Sequence, residues 1–314
     1  MAKILINDGM HPSGIQLLKD AGHEVNTNKI EQEELSTSLP EYDAICVRSA
    51  TKVREDLIAV CPNLKVIGRG GVGLDNIDVT YARSNNIHVI NTPAASSRSV
   101  AELTFAHMLS VARFLYKSNR NMPADGDTEF KSLKKSFAKG FELEGKTLGI
   151  IGAGRIGRET AKIALGIGMN VQFHDPFVAS TEVAMTIAGN EMTIPFQTVT
   201  MDQLLAESDI LSLHIPFTGT PVLAKDEFDK MKKGIVIINA ARGGTINEDA
   251  LLEAIDSGIV AAAGLDVFEN EPTPRKDLLQ HPRISLTPHI GASTNEAQEK
   301  IGIELAEQLI DLLS

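Results

Sequence analysis

The sequence predicts an α/β protein made of two doubly wound parallel-sheet domains. Short apolar runs alternate with helix-forming stretches along almost the whole chain, the rhythm of βα units. A glycine fingerprint, Gly152-Ala-Gly154-Arg-Ile-Gly157, restarts that rhythm near the midpoint. The length, 314 residues, exceeds the usual size of one domain.

In chain order, the strand candidates before the fingerprint are Lys3–Asp8, Glu24–Thr27, Ala44–Arg48, Lys65–Gly70 and His88–Asn91. Pro93 and the small polar run from Ala94 to Ser99 precede a helix over Val100–Leu115. Its apolar residues cover most of its surface, so burial at a domain or subunit interface is expected, with His107 as a satisfied core histidine. From Asn119 to Glu144 the sequence turns polar and reads as a solvated connector, with Met122-Pro-Ala-Asp-Gly-Asp127 as a breaker and Lys131, Lys134, Lys135 and Lys139 as a basic run. Beyond Gly152, strands are expected at Asn170–Asp175, Ile210–Ile215, Gly234–Ala240, Ala261–Val267 and Ile284–Thr287. The amphipathic stretch Asn295–Leu313 reads as one closing helix that returns to the first domain and leaves no room for a regulatory domain.

The fingerprint has the context of a nucleotide site. An apolar strand from Thr147 runs into Gly152, which permits a tight turn; Gly154 lets backbone amides approach a pyrophosphate, and Gly157 lets the next helix pack closely on the strand. Arg155 and Ile156 open that helix, whose positive end faces the phosphates. Asp175 ends the following strand, eighteen residues beyond Gly157, where a carboxylate accepts from ribose hydroxyls and repels a 2′-phosphate. NAD is therefore expected over NADP.

Composition narrows the function. The formal charge of -11 disfavours nucleic acid while leaving room for anionic metabolites in a cleft with a few arginines. No apolar run is long enough to span a bilayer, and the start lacks a secretory signal, so a cytoplasmic location is expected. Cys46 and Cys61 read as reduced structural thiols, and no residues have metal-ligand spacing.

Three ionisable residues follow strands of the second domain: Arg242, Glu271 and His289. Ligands of open parallel sheets bind beyond the carboxyl ends of the strands, so these loops can meet at a dinucleotide. The types suit hydride transfer to or from a 2-hydroxy acid. Histidine removes the hydroxyl proton, Glu271 orients the imidazole, and Arg242 pairs with the carboxylate and polarises a keto oxygen. Taken singly, each also reads as a surface ion-pair partner, a polar loop residue or a turn histidine. His214 and His174 read as packing or supporting residues.

Together, Gly152-Ala-Gly-Arg-Ile-Gly157, Asn239-Ala-Ala-Arg-Gly-Gly244, Gly264-Leu-Asp-Val-Phe-Glu-Asn-Glu-Pro272 and Thr287-Pro-His-Ile-Gly-Ala-Ser293 resemble the D-isomer-specific 2-hydroxyacid dehydrogenases over nearly the whole chain. The resemblance implies a Rossmann NAD-binding domain (97–286) inserted into a flavodoxin-like substrate domain (1–96 and 287–314). It implies Arg242, Glu271 and His289 as the catalytic trio, His289 also adjoining the cofactor. Asp266 would hold the nicotinamide carboxamide, and Ile215, Pro216 and Ala240 would line the pocket.

Val47-Arg-Ser-Ala-Thr-Lys-Val53 and Val66-Ile-Gly-Arg-Gly-Gly-Val-Gly-Leu-Asp-Asn-Ile-Asp78 are similar, within that family, to segments of the D-3-phosphoglycerate dehydrogenases. This implies that the Gly71, Val72 and Gly73 amides bind a substrate carboxylate, that Asn76 supports their loop, and that Arg48 and Arg69 face a phosphate; structural ion pairing of the two arginines is the alternative. Lys134 or Lys135 would complete the phosphate site of a partner subunit. The implied reaction is NAD-dependent oxidation of 3-phospho-D-glycerate to 3-phosphohydroxypyruvate, a step towards serine. The alternatives are a reductase of glyoxylate, hydroxypyruvate or another 2-keto acid, and an NAD-sensing protein like the corepressors that resemble this family. A homodimer is expected, with a homotetramer as the other possibility.

Overall fold

The computed structural model describes all 314 residues. The chain divides into two compact units, Met1–Ser99 with Ala292–Ser314, and Val100–Gly291.

Unit 1 is built on a five-stranded, wholly parallel sheet in the order β2-β1-β3-β4-β5, the flavodoxin-like order. Its strands are β1 (Lys3–Ile6), β2 (Glu24–Asn26), β3 (Ala44–Val47), β4 (Val66–Arg69) and β5 (His88–Asn91), each within its expected run. Alternation along them feeds two cores: Leu5, Ile45 and Ile67 point to one face, and Ile4, Ile6, Ala44, Cys46 and Val66 to the other. The closing helix, Asn295–Leu313, lays Leu305, Ala306 and Leu309 on that second face. It crosses the helix Pro12–Asp20 so closely that a Cβ on Gly14 would collide with the Gly302 carbonyl.

Unit 2 carries a six-stranded parallel sheet in the order β13-β12-β11-β10-β6-β7. Its strands are β6 (Thr147–Ile151), β7 (Asn170–His174), β10 (Ile210–Leu213), β11 (Ile235–Asn239), β12 (Val260–Leu265) and β13 (Ile284–Leu286). The strand order reverses between β6 and β10, so the loop after β6 opens at the switch point where such sheets bind ligands. Ile235 and Ile237 face one core, Val236 and Ile238 the other.

Three expectations are corrected here. The apolar helix spans Ser97–Ala112 and not Val100–Leu115, and Phe105, Met108, Val111 and Ala112 enter the core of unit 2 alongside Ala161 and Ala164, while Leu109 stays 46% exposed. The connector is largely helical, over Leu115–Asp125 and Phe130–Ser136. Pro123 lies inside the first of these helices, and neither helix buries a residue, so no apolar periodicity marked them.

The third correction concerns residues 180–197, for which no element was expected. They form an antiparallel hairpin of β8 (Ser180–Ile187) and β9 (Asn190–Gln197), turning at Ala188 and Gly189 with φ of +50° and +81°. Thr181 and Val183 are buried, and Phe196 sets its ring edge-on to Phe173 at 5.3 Å. Only one parallel bridge, Phe173 to Thr198, stands beside β7 where a third strand of the doubly wound pattern would run. No helix is long and apolar enough to cross a membrane.

Candidate active site

The three fingerprint glycines sit as their spacing predicts. Gly152 has φ +104°, and a Cβ there would lie 2.5 Å from the His214 carbonyl oxygen. Gly154 faces open space, while a Cβ on Gly157 would collide with the Gly152 carbonyl. The helix Arg155–Gly166 starts at once, with Gly154 as its N-cap and no side chain capping it. Its first amides therefore carry a partial positive charge towards a clear space, which fits a pyrophosphate.

Asp175 Oδ2 accepts from the Ala153 amide and Oδ1 from the Phe177 amide, both at 2.9 Å, tying the acid to the fingerprint. Ile215 and Pro216 follow β10, and Ala240 follows β11. His214 bonds Ser212 Oγ through Nε2 at 3.0 Å, but its buried Nδ1 has no partner. Part of the residue is exposed, yet the ring is sealed enough that burial lowers its pKa to about 3. A buried ring nitrogen without a partner, on the residue whose carbonyl abuts the Gly152 turn, is a further sign of a ligand site. His174 bonds the Val199 carbonyl at 2.9 Å and supports packing.

His289 Nδ1 and Glu271 Oε2 lie 2.7 Å apart, and the Phe268 amide donates to Glu271 Oε1 at 2.9 Å. Burial pushes the Glu271 carboxyl up, but the His289 bond and charge, the Phe268 amide and the Arg242 guanidinium outweigh it and hold the pKa below the usual value. Because a carboxylate only accepts, the network assigns the proton to Nδ1 and leaves the Nε2 lone pair free. A cavity of 460 Å³ opens beside the pair, walled by Phe268, Pro272, Pro274, Leu279, Leu286 and Pro288.

Arg242 donates from Nη1 to the Ala241 carbonyl at 2.6 Å, and its own carbonyl accepts from Asn239 Nδ2 and Thr245 Oγ1. Gly243 follows it, where a Cβ would collide with the Phe268 carbonyl. The Arg242 and Glu271 loops are thereby pressed together.

Asp266, expected at the nicotinamide carboxamide, is fully buried, and its carboxylate accepts from Thr287 Oγ1, Ile290 N and Gly291 N at 2.6, 2.8 and 2.9 Å. Its carbonyl takes the His289 amide at 2.8 Å, so it tethers the turn in which His289 holds φ +54°. Behind it, His107 bonds Thr287 Oγ1 at 2.9 Å and Ser285 Oγ at 3.0 Å. The Thr287 hydroxyl proton goes to Asp266, so His107 Nε2–H donates to Thr287 and Nδ1 accepts from Ser285. Sequence reasoning read His107 as a core residue and missed that it braces the His289 turn; only its partners, distant in sequence, disclose this.

In unit 1, Arg48 follows β3, and Arg69 ends β4 opposite Val47 in the register. The Arg48 amide donates to Asp8 Oδ2, its carbonyl accepts from Asn76 Nδ2, both at 2.7 Å, and its guanidinium makes no hydrogen bond or ion pair. Asn76 also donates to the Thr51 carbonyl at 2.6 Å, so it ties the segment that follows Gly73 to the loop after β3. Gly71, with φ +143°, gives its amide to Thr92 Oγ1 at 2.9 Å. Its N–H is thus spent inside the unit, which reduces the expected three carboxylate-binding amides to those of Val72 and Gly73. Arg69 packs its guanidinium against Gly71. Lys134 and Lys135 are exposed on the helix Phe130–Ser136.

Residues 105–291 match the model of the D-isomer specific 2-hydroxyacid dehydrogenase, NAD binding domain. The chain belongs to this family. Unit 2 of this family member is accordingly its NAD-binding domain, and NAD is its cofactor. A hydroxypyruvate reductase of Thermotoga maritima is 45% identical over 98% of this chain and 97% of its own. A D-3-phosphoglycerate dehydrogenase of Archaeoglobus fulgidus is 41% identical over 99% of this chain, which spans 57% of that protein's length. Among solved structures, the NAD⁺-bound 3-phosphoglycerate dehydrogenase of Entamoeba histolytica superimposes with a TM-score of 0.78 and 28% identity, covering 99% of this chain and 95% of that one.

Proposed function

We propose that this family member oxidises 3-phospho-D-glycerate to 3-phosphohydroxypyruvate. The observation that carries the substrate choice is the Arg48–Arg69 pair. Two cations stand on adjacent strand ends, and the Arg48 guanidinium is without a protein partner although its backbone is fixed on both sides. A phosphate dianion matches paired guanidinium groups, whereas a substrate ending in a methyl group leaves that of Arg48 without a counter-charge. Val72 and Gly73 offer amides to the substrate carboxylate.

The chemistry follows from the second unit. Gly152, Gly154, Arg155, Ile156 and Gly157 would hold the pyrophosphate, Asp175 the adenosine ribose, and Ile215, Pro216 and Ala240 the wall of the pocket. NAD supplies the hydride acceptor. His289 Nε2 takes the C2 hydroxyl proton as the C2 hydride departs, and Glu271 stabilises the imidazolium that results. Arg242 binds the carboxylate and polarises the carbonyl oxygen as it forms. Asp266 keeps the His289 turn in place, the support on which the pairing of His289 with Glu271 depends. The buried, free Cys46 and Cys61 suit a reducing compartment such as the cytoplasm.

Relative kcat/KM values measured with NADH across 2-keto acids test the proposal. Phosphohydroxypyruvate is expected to lead, and Arg48→Ala to lower its value by at least about tenfold while leaving glyoxylate nearly unchanged. The second reading, hydroxypyruvate reduction, is favoured by the Thermotoga relative, which matches almost end to end. A lead for hydroxypyruvate or glyoxylate would replace the first reading with this one.

A further inference from the structure

A second cavity of unit 2, of 310 Å³, lies at the other end of its sheet from the fingerprint and the His289–Glu271 pair. The strands β11, β10 and β6 run side by side, and the residues just before each of them line it: Lys232, Lys233 and Gly234 before β11, Asp209 before β10, Lys146 before β6. Cofactors and substrates of such sheets bind beyond the carboxyl ends of the strands, so neither NAD nor the hydroxy acid accounts for a cavity at the amino ends.

The charges in it do not balance. Asp209 Oδ2 accepts from the Thr147 amide at 2.9 Å, and Oδ1 from Lys232 Nζ at 3.2 Å, while Lys232 also donates to the Glu207 carbonyl. Burial pushes the Asp209 carboxyl up, but the Thr147 amide and the ammonium groups of Lys232 and Lys146 outweigh it and hold the pKa below the usual value. The carboxylate is thus charged at neutral pH and already committed. Lys146 and Lys233 form no side-chain hydrogen bond or ion pair, so three ammonium groups face one carboxylate in a chain whose net charge is -11. Half-buried Phe141, with Ile235 and Val236, supplies an apolar wall beside them.

We propose that this cavity binds a small organic dianion of the phosphate monoester class, with its head on Lys146 and Lys233 and its apolar body against Phe141. Two surplus positive charges match a dianion, and lysine holds phosphate as a point charge. The volume is at the lower end of the range for ligand pockets, about 300–1,000 Å³, which suits a monoester with a body the size of one ring.

Phenyl phosphate is the probe, titrated calorimetrically into the full chain saturated with NAD, so that the fingerprint is filled. One saturable site is expected, tighter than for inorganic phosphate, which lacks the ring. Lys146→Gln with Lys233→Gln should raise the Kd at least about tenfold, the loss of one charge-assisted contact, with NAD binding unchanged. Lys233→Gln alone, at an exposed and unbonded side chain, should weaken the probe in the same direction without risk to the fold. Phe141→Ala should bring phenyl phosphate to the Kd of inorganic phosphate, and Arg48→Ala should leave the probe's Kd unchanged. Absence of saturable binding, or an unchanged Kd in the lysine variants, overturns the site. Binding that is lost in Arg48→Ala and kept in the lysine variants assigns the probe to the substrate arginines and overturns it too. Equal Kd values for the two phosphates in the unsubstituted chain overturn the seating of the body on Phe141.

Discussion

Glu271 is placed to set the tautomer of His289, and its ionisation limits when it can. Its folded pKa is depressed, so the pair contributes stability above the ordinary carboxylate value near 4.5, and that contribution is lost as pH falls through the lower folded value. Over the neutral range the carboxylate stays charged. Glu271→Gln keeps the shape but lets an amide N–H face Nδ1, which favours the wrong tautomer. We expect kcat to fall on the order of 10²- to 10⁴-fold with the NADH Kd unchanged, measured by steady-state turnover and titration. A loss confined to KM would show that the pair binds substrate and does not handle the proton.

Among the elements, the strands were the most legible. Runs such as Ile235-Val-Ile-Ile-Asn239 are apolar on both faces, which is how a strand buried on both sides of a parallel sheet reads. The fingerprint was legible for a different reason: Gly152 and Gly157 each answer a separate steric demand, Gly154 leaves space open, and spacing alone reports the three. The hairpin β8–β9 was not legible because Glu, Ala, Met and Pro195 interrupt its β-branched residues, and its partner rows meet only once Gly189 turns the chain. The roles of Gly71 and Asn76 were hidden too, because their hydrogen bonds reach residues 21, 25 and 28 positions away that no local pattern names. The hairpin is also where packing is most open to test. Val183 is fully buried under it, so Val183→Ala should cost about 2 kcal/mol in urea unfolding with m unchanged. A cost near zero would mean that the hairpin is not seated on the unit.

At the scale of the molecule, each unit has its own pair of cores and its own sheet. Separate cores permit separate unfolding, so calorimetry should resolve two transitions. Only the transition of unit 2 should rise when NAD is added, because that unit carries the NAD-binding domain; at a hundredfold excess over Kd the gain is about 2.7 kcal/mol. A single transition, or a shift shared equally by both, would refute independent cores. The discontinuity of unit 1 also bears on the ribosome. The face formed by Ile4, Ile6, Ala44 and Cys46 is completed by Leu305, Ala306 and Leu309, whereas unit 2 is one unbroken stretch. During synthesis the middle of the chain can therefore close before either flank is finished. Residues 1–99 must hold an uncovered apolar surface until residues 292–314 follow unit 2 out of the ribosome, which makes them the part of this stretch with most need of a chaperone.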